Sequence, residues 1–245
     1  MRGGGGDVGR KTVRLHVIQH VDFEGPGLIF DWAQESGHTV SVSLALTEEF
    51  PALDEFDWLV SMGGPMDADD EVSNPWLRAE KRLIASSIED GKLVLGVCLG
   101  AQIVAEAIGG RVRRNDEPEI GWFPVALTSE GAASRVFGVL PDEFTPASWH
   151  SDTFDLPLGV PTAASSEATP NQAFEFEDRV WGVQFHLEWD EPALERIIEH
   201  CADDIGVGKY VQSAEELLGR DDLFRESREL LFELLDAMDA VGPSG

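Results

Sequence analysis

The stretch that most constrains this chain is Leu93-Val94-Leu95-Gly96-Val97-Cys98-Leu99-Gly100-Ala101-Gln102. Its first half is an unbroken apolar run, the pattern of a strand buried on both faces of a parallel sheet. Ala101 to Ile108 is apolar almost all round and suits a helix packed in the interior. Between them Gly96 and Gly100 flank Cys98 as G-x-C-x-G, leaving room for a tight turn. This is the nucleophile elbow G-x-S-x-G with a thiol in place of the hydroxyl. At the N-terminus of the helix, unpaired N–H groups and the macrodipole favour a thiolate, the nucleophilic form of cysteine. The N–H of Leu99 points at the same space and can hold a developing oxyanion. Taken alone, the pattern also fits a buried structural cysteine.

The elements around this turn alternate. Thr12 to Ile18, Thr39 to Leu44 and Asp57 to Met62 read as strands. Leu28 to Ser36 and Pro75 to Asp90 read as helices, ended by Gly37 and Gly91. Gly25-Pro26-Gly27 marks a loop after the first strand. Such βαβ alternation predicts an α/β fold with a doubly wound, mostly parallel central sheet and helices on both faces. The second half differs. Short strand-like pieces at 111–114, 121–128, 144–149, 161–165, 172–176 and 180–186 are separated by turns, which predicts a small antiparallel set. Helices are expected at 191–202 and over 213–240, the latter broken near Gly219-Arg220-Asp221. The resulting division is a flexible lead-in at 1–11, one domain at 12–205 and a C-terminal helical extension at 206–245.

Charge excludes some classes of partner. With 46 Asp+Glu against 18 Lys+Arg the formal net charge is −28, spread along the chain. Such a field repels nucleic acid and anionic lipid. It resembles the surface of proteins from salt-loving organisms, where salt screens self-repulsion. Cys98 and Cys201 are too few for a disulfide framework and fit a reducing cytoplasm. No apolar run approaches the roughly 20 residues of a membrane span, and the first residues lack a signal peptide's apolar stretch.

A thiol nucleophile needs a base, and the base needs an orienting group. Among six histidines His186 is the best placed, ending the apolar strand that begins at Val180. Strand C-termini are where α/β sheets carry their sites. Glu188 lies two residues on, so in extended backbone both side chains share a side. The carboxylate can hold one imidazole nitrogen while the other faces Cys98. A strand-end histidine can equally be a surface or capping residue. His20 is expected to make a local loop hydrogen bond, Cys201 to sit in the core, and Arg111, Arg113 and Arg114 to form salt bridges. The acidic run Asp67 to Glu71 lacks a calcium loop's glycine and reads as solvated surface, so no metal is expected.

Gly96-Val97-Cys98-Leu99-Gly100-Ala101-Gln102 together with Gly182-Val183-Gln184-Phe185-His186-Leu187-Glu188 resembles the class I (triad) glutamine amidotransferase family. Gly63-Gly64-Pro65 matches that family's oxyanion loop, and the three motifs occur in the family's order. The chain is most similar to stand-alone proteins related to the glutaminase domain of GMP synthase. The resemblance implies a catalytic Cys98–His186–Glu188 triad and a γ-glutamyl thioester, with Gly64 and Leu99 N–H groups as the oxyanion hole. It implies substrate contacts from Gln102 and from a loop, Trp149-His150-Ser151-Asp152, in which His150, Ser151 and Asp152 hold the amino-acid end of glutamine.

No cofactor is implied: neither a P-loop nor G-x-G-x-x-G is present. Family members that make a named product pair the glutaminase with a synthase, so one expected partner is a separate synthase subunit that accepts the ammonia. Two other readings stand beside it. One is a stand-alone γ-glutamyl peptidase using the same triad, and the other a non-catalytic partner subunit.

Overall fold

The computed structural model describes residues 12–242, so the lead-in expected at 1–11 lies outside the described residues. In chain order the strands are β1 (Arg14–Gln19), β2 (Thr39–Leu44), β3 (Trp58–Ser61), β4 (Leu93–Val97), β5 (Arg111–Trp122), β6 (Val125–Leu127), β7 (Glu143–Phe144), β8 (Ala147–Asp155), β9 (Thr162–Ser166), β10 (Ala173–Phe176) and β11 (Val180–Val183). The helices are α1 (Leu28–Glu35), α2 (Leu77–Glu89), α3 (Leu99–Ala107), α4 (Ser129–Ala133), α5 (Glu191–His200), α6 (Ala214–Leu217) and α7 (Asp221–Asp239).

One nine-stranded sheet runs β2-β1-β3-β4-β11-β10-β9-β6-β7. The five strands from β2 to β11 are parallel, and those beyond β11 pair antiparallel. The expected doubly wound sheet and antiparallel set are both present. Alternation within each strand feeds two layers. Trp58, Val60, Leu93 and Leu95 join Leu28, Ile29 and Trp32 of α1 on one face. Leu59 and Val94 join Leu77 and Ile84 of α2 and the buried residues of α3 on the other.

Two boundaries differ from the sequence reading. The run at 121–128 is not one strand: β5 ends at Trp122, and β6 begins at Val125 in a different sheet. Pro124 between them has no N–H to donate to a ladder. The run at 111–114 extends to Trp122 and pairs with β8, with a register shift between Arg114 and Glu119 that accommodates Pro118.

The C-terminal region breaks where expected, into α6 and α7. α7 lies on α1, and Leu230, Leu231, Leu234, Leu235 and Met238 enter the same apolar cluster as the sheet. Trp32 Nε1 donates to Asp236 Oδ1 at 3.0 Å. Burial of this kind contributes roughly 1.5–3 kcal/mol per large aliphatic side chain, so α7 is a structural layer of the sheet's own core. Among the described residues no helix is long and apolar enough to cross a membrane.

Candidate active site

β4 and β11 are adjacent, parallel and in register, Val97 opposite Val183. Their C-terminal ends therefore bring the segments after residues 97 and 183 to one sheet edge. Cys98 N–H donates to Val183 carbonyl at 2.8 Å, fixing the turn to that edge. Cys98 has φ 51° and ψ −107°, a conformation costing an L-residue of order 1–3 kcal/mol. The flanking glycines have steric causes. A Cβ on Gly96 would come within 2.5 Å of the Gly100 carbonyl, and one on Gly100 would collide with the Ser61 backbone. Gly100 N–H donates to Met62 carbonyl at 3.0 Å, tying the first turn of α3 to the loop that follows β3.

His186 stands three residues beyond β11, its N–H donating to Ala147 carbonyl at 2.8 Å. Its Nδ1 is 2.6 Å from Glu188 Oε1, and both side chains are buried. The ring stacks on Trp189 with centroids 3.6 Å apart. A carboxylate at Nδ1 requires a proton there, and the imidazole hydrogen-bonds Cys98 as well. Burial opposes its charge, but the Glu188 charge and the hydrogen bonds to Cys98 and Glu188 outweigh that, holding its pKa well above the usual value. Sulfur and imidazole thus share one side of the sheet. Gln184 Nε2 donates to Cys98 Sγ at 3.5 Å, and Cys98 Sγ lies 3.7 Å from Trp149 carbonyl.

A cavity of about 250 Å³ opens on this cluster, and every expected site residue except Glu188 lines it: Gly64, Leu99, Gln102, His150, Ser151 and Asp152 with Cys98 and His186. Glu188 lies behind His186. Neither the Gly64 nor the Leu99 N–H has a hydrogen-bond partner among the described residues. Gln102 Nε2 bonds Asp152 carbonyl and Gln184 Oε1, both at 3.3 Å. The segment 149–152 is a correction: it lies within β8, paired with β5, and is not a loop. His150 is buried, with Nδ1 3.0 Å from Asp152 carbonyl and Nε2 3.2 Å from Glu119 Oε2, so its ring braces the strand.

Other expectations divide. Arg113 and Arg114 pair with Asp155 and Asp152 at 2.9 and 3.1 Å, as expected. Glu71 of the acidic run holds Arg78 and Lys81. Cys201 is only partly buried and lines the cavity, outside the core clusters where it was expected. Burial, then the charges of Asp204 and Glu24, push its thiol up to about 11. Among the described residues no cluster of three or more His, Cys, Asp and Glu could hold a metal.

Three residues at the site were missed by the sequence reading. Gln184 reaches the nucleophile. Glu80 is fully buried against His20. Glu24 is buried yet faces the cavity, with no hydrogen-bond partner for its carboxyl among the described residues. A Cβ on Gly63 would collide with that carboxyl and lie 3.1 Å from His186 Cε1. Burial drives its pKa up to about 7, with His186 lowering it and Glu188 raising it. The only signal in the sequence was a carboxylate opening Glu24-Gly25-Pro26-Gly27 after the end of the first strand. Gly27, at φ 48°, packs on the Glu188 carbonyl, to which Leu28 N–H donates at 2.9 Å.

Comparison with known proteins agrees with this arrangement. The family model for glutamine amidotransferase class-I matches residues 29–201. The glutamine amidotransferase-like protein YfeJ of Salmonella typhimurium is 31% identical over 234 residues, covering 92% of this chain and 97% of that protein. One of the separate subunits of the glutamine-hydrolysing GMP synthase of Sulfolobus acidocaldarius is 32% identical over 149 residues, 60% of this chain and 76% of that polypeptide. The crystal structure of a glutamine amidotransferase from Thermotoga maritima superposes with a TM-score of 0.83 at 30% identity, covering 94% of this chain and 99% of that one.

Proposed function

The chain belongs to the class-I glutamine amidotransferase family, and from that premise we propose that it hydrolyses the side-chain amide of glutamine through Cys98, His186 and Glu188. The observation that carries this reading is the strained Cys98 hydrogen-bonded to an imidazole whose far nitrogen is held 2.6 Å from a buried carboxylate.

Cys98 attacks the amide carbon, and its proton passes to His186. The carbonyl oxygen, now an oxyanion, accepts from the N–H groups of Gly64 and Leu99, donors worth roughly 3–4 kcal/mol each. His186 protonates the leaving nitrogen, the C–N bond breaks, and ammonia departs from a γ-glutamyl thioester. His186 then takes a proton from water as it attacks the thioester, and glutamate and the thiol are regenerated. Glu188 fixes the ring's tautomer and stabilises the imidazolium. Gln102 and the His150–Asp152 stretch would grip the amino-acid end of the substrate.

In this reading residues 12–205 form the glutaminase domain and 206–245 an extension docked on it. The relatives include a GMP synthase whose matching part is a separate polypeptide, which supports a second chain as acceptor of the ammonia. A second reading, hydrolysis of larger γ-glutamyl amides, draws on one observation. Past His186 the cavity continues to Trp189, Ile197, Cys201 and Asp204, leaving space on the leaving-group side.

Ammonia release from glutamine by the purified protein tests the proposal, with Cys98→Ala as control. Release that Cys98→Ala abolishes supports it. Turnover of γ-glutamyl peptides with none of glutamine favours the second reading, and no turnover of either overturns both.

A further inference from the structure

The oxyanion loop is held by a buried polar chain that the reaction itself does not use. β1 ends at Gln19, and His20 follows it, fully buried at 0% exposure. Its Nδ1 lies 2.9 Å from the Gly63 carbonyl. Its Nε2 lies 3.0 Å from both carboxylate oxygens of Glu80, on α2. Ser61 Oγ, at the end of β3, donates to Glu80 Oε1 at 2.7 Å. A carbonyl and a carboxylate can only accept, so both ring nitrogens carry hydrogen. Trp76 stacks on the ring with centroids 5.2 Å apart and closes the pocket around it.

What this does to Gly64 follows from the peptide plane. The described chain contains no cis peptide, so the Gly63 C=O and the Gly64 N–H point in opposite directions from one rigid unit. His20 lies in the interior and draws the carbonyl inward. The N–H is thereby turned outward to the cavity that Gly64 lines with Cys98 and Leu99. Glycine at both positions leaves this peptide with little backbone preference of its own, so an external partner decides its orientation.

We propose that His20, supported by Glu80 and Ser61, is the positioning residue that holds the Gly63–Gly64 peptide with its N–H facing Cys98. It keeps the oxyanion hole formed in the isolated chain. This rests on the reading of Gly64 as an oxyanion donor. The hole therefore needs no partner to complete it, and the protein hydrolyses glutamine unaided.

The experiment compares two reactions of Cys98. Turnover of glutamine passes through an oxyanion, whereas alkylation of the thiol by iodoacetamide requires only the nucleophile and its base. His20→Leu removes the bond to Gly63. It lowers kcat towards the roughly 100-fold loss seen when an oxyanion donor is deleted, with KM for glutamine and the alkylation rate each within about threefold of wild type. His20→Asn, whose side-chain amide can donate to the same carbonyl, recovers most of kcat. If His20→Leu does not fold, Glu80→Gln gives the same reading. It keeps the imidazole but weakens its anchor, so kcat falls by a smaller factor at unchanged alkylation.

Alkylation falling in step with kcat, or kcat unchanged in every variant, overturns the assignment. So does a wild-type protein that turns over glutamine only when a partner is added. A wild-type protein inert towards glutamine under every condition overturns the glutaminase reading beneath it, which separates the two failures.

Discussion

His186 Nδ1 lies 2.6 Å from Glu188 Oε1, and neither side chain is more than 2% exposed. A carboxylate so placed fixes which nitrogen carries the proton and leaves the other for the thiol. Glu188→Gln keeps the shape but lets the ring adopt the wrong tautomer. Steady-state ammonia release should fall between about 100- and 10,000-fold in kcat, the upper figure being typical where an orienting carboxylate becomes an amide. A loss below tenfold would mean that the pair does not orient the base.

Glu24 gives a pH dependence of stability with a definite sign. A carboxyl whose pKa rises from 4.5 to about 7 on folding binds its proton more tightly in the folded state. The contribution it makes to stability therefore declines as pH rises from 4.5 to about 7, and is level above that. Glu24→Gln removes the dependence. Urea denaturation should show the variant gaining about 2–3 kcal/mol on wild type between pH 5 and pH 8. An equal difference at both values would contradict the buried, unpartnered carboxyl.

Backbone strain at Cys98 predicts a trade of stability against activity. Glycine adopts φ 51° freely, so Cys98→Gly should raise stability by about 1 kcal/mol or more while abolishing turnover. Cys98→Ala, which keeps a Cβ, should gain much less. Denaturation midpoints of the two variants measured side by side decide the point. Gly100→Ala should do the opposite, because its methyl group would meet the Ser61 carbonyl.

The charge of −28 predicts a response to salt. Raising ionic strength from about 0.1 M to 1 M shortens the screening length from about 10 Å to about 3 Å. Self-repulsion among the surface carboxylates weakens accordingly, and the thermal midpoint in molar KCl should rise by several degrees. A flat or falling midpoint would show that repulsion does not limit stability.

The elbow at Cys98 was legible because everything it needs is local: an apolar strand, two glycines and an apolar helix within sixteen residues (93–108). His186 and Glu188 were legible for a similar reason, being two residues apart at the end of an apolar run. What joins them to Cys98 is the pairing of β4 with β11, a long-range fact that no local pattern encodes. The same holds for the β5–β8 ladder, which turned an expected loop at His150 into a strand. His20, Glu24 and Glu80 were the hardest to read. Each is a lone polar residue whose meaning depends on a partner far along the chain, 43 residues for His20 and Gly63 and 60 for His20 and Glu80.

The hydrogen bond from Leu28 N–H to the Glu188 carbonyl has a consequence for biosynthesis. A nascent polypeptide that has emerged only as far as residue 180 already displays the thiol, yet lacks both the ring that activates it and the carbonyl against which the Gly27 bend closes. Chemistry must then wait until the ribosome has delivered the later half, so a truncated translation product carries the cysteine without the reaction.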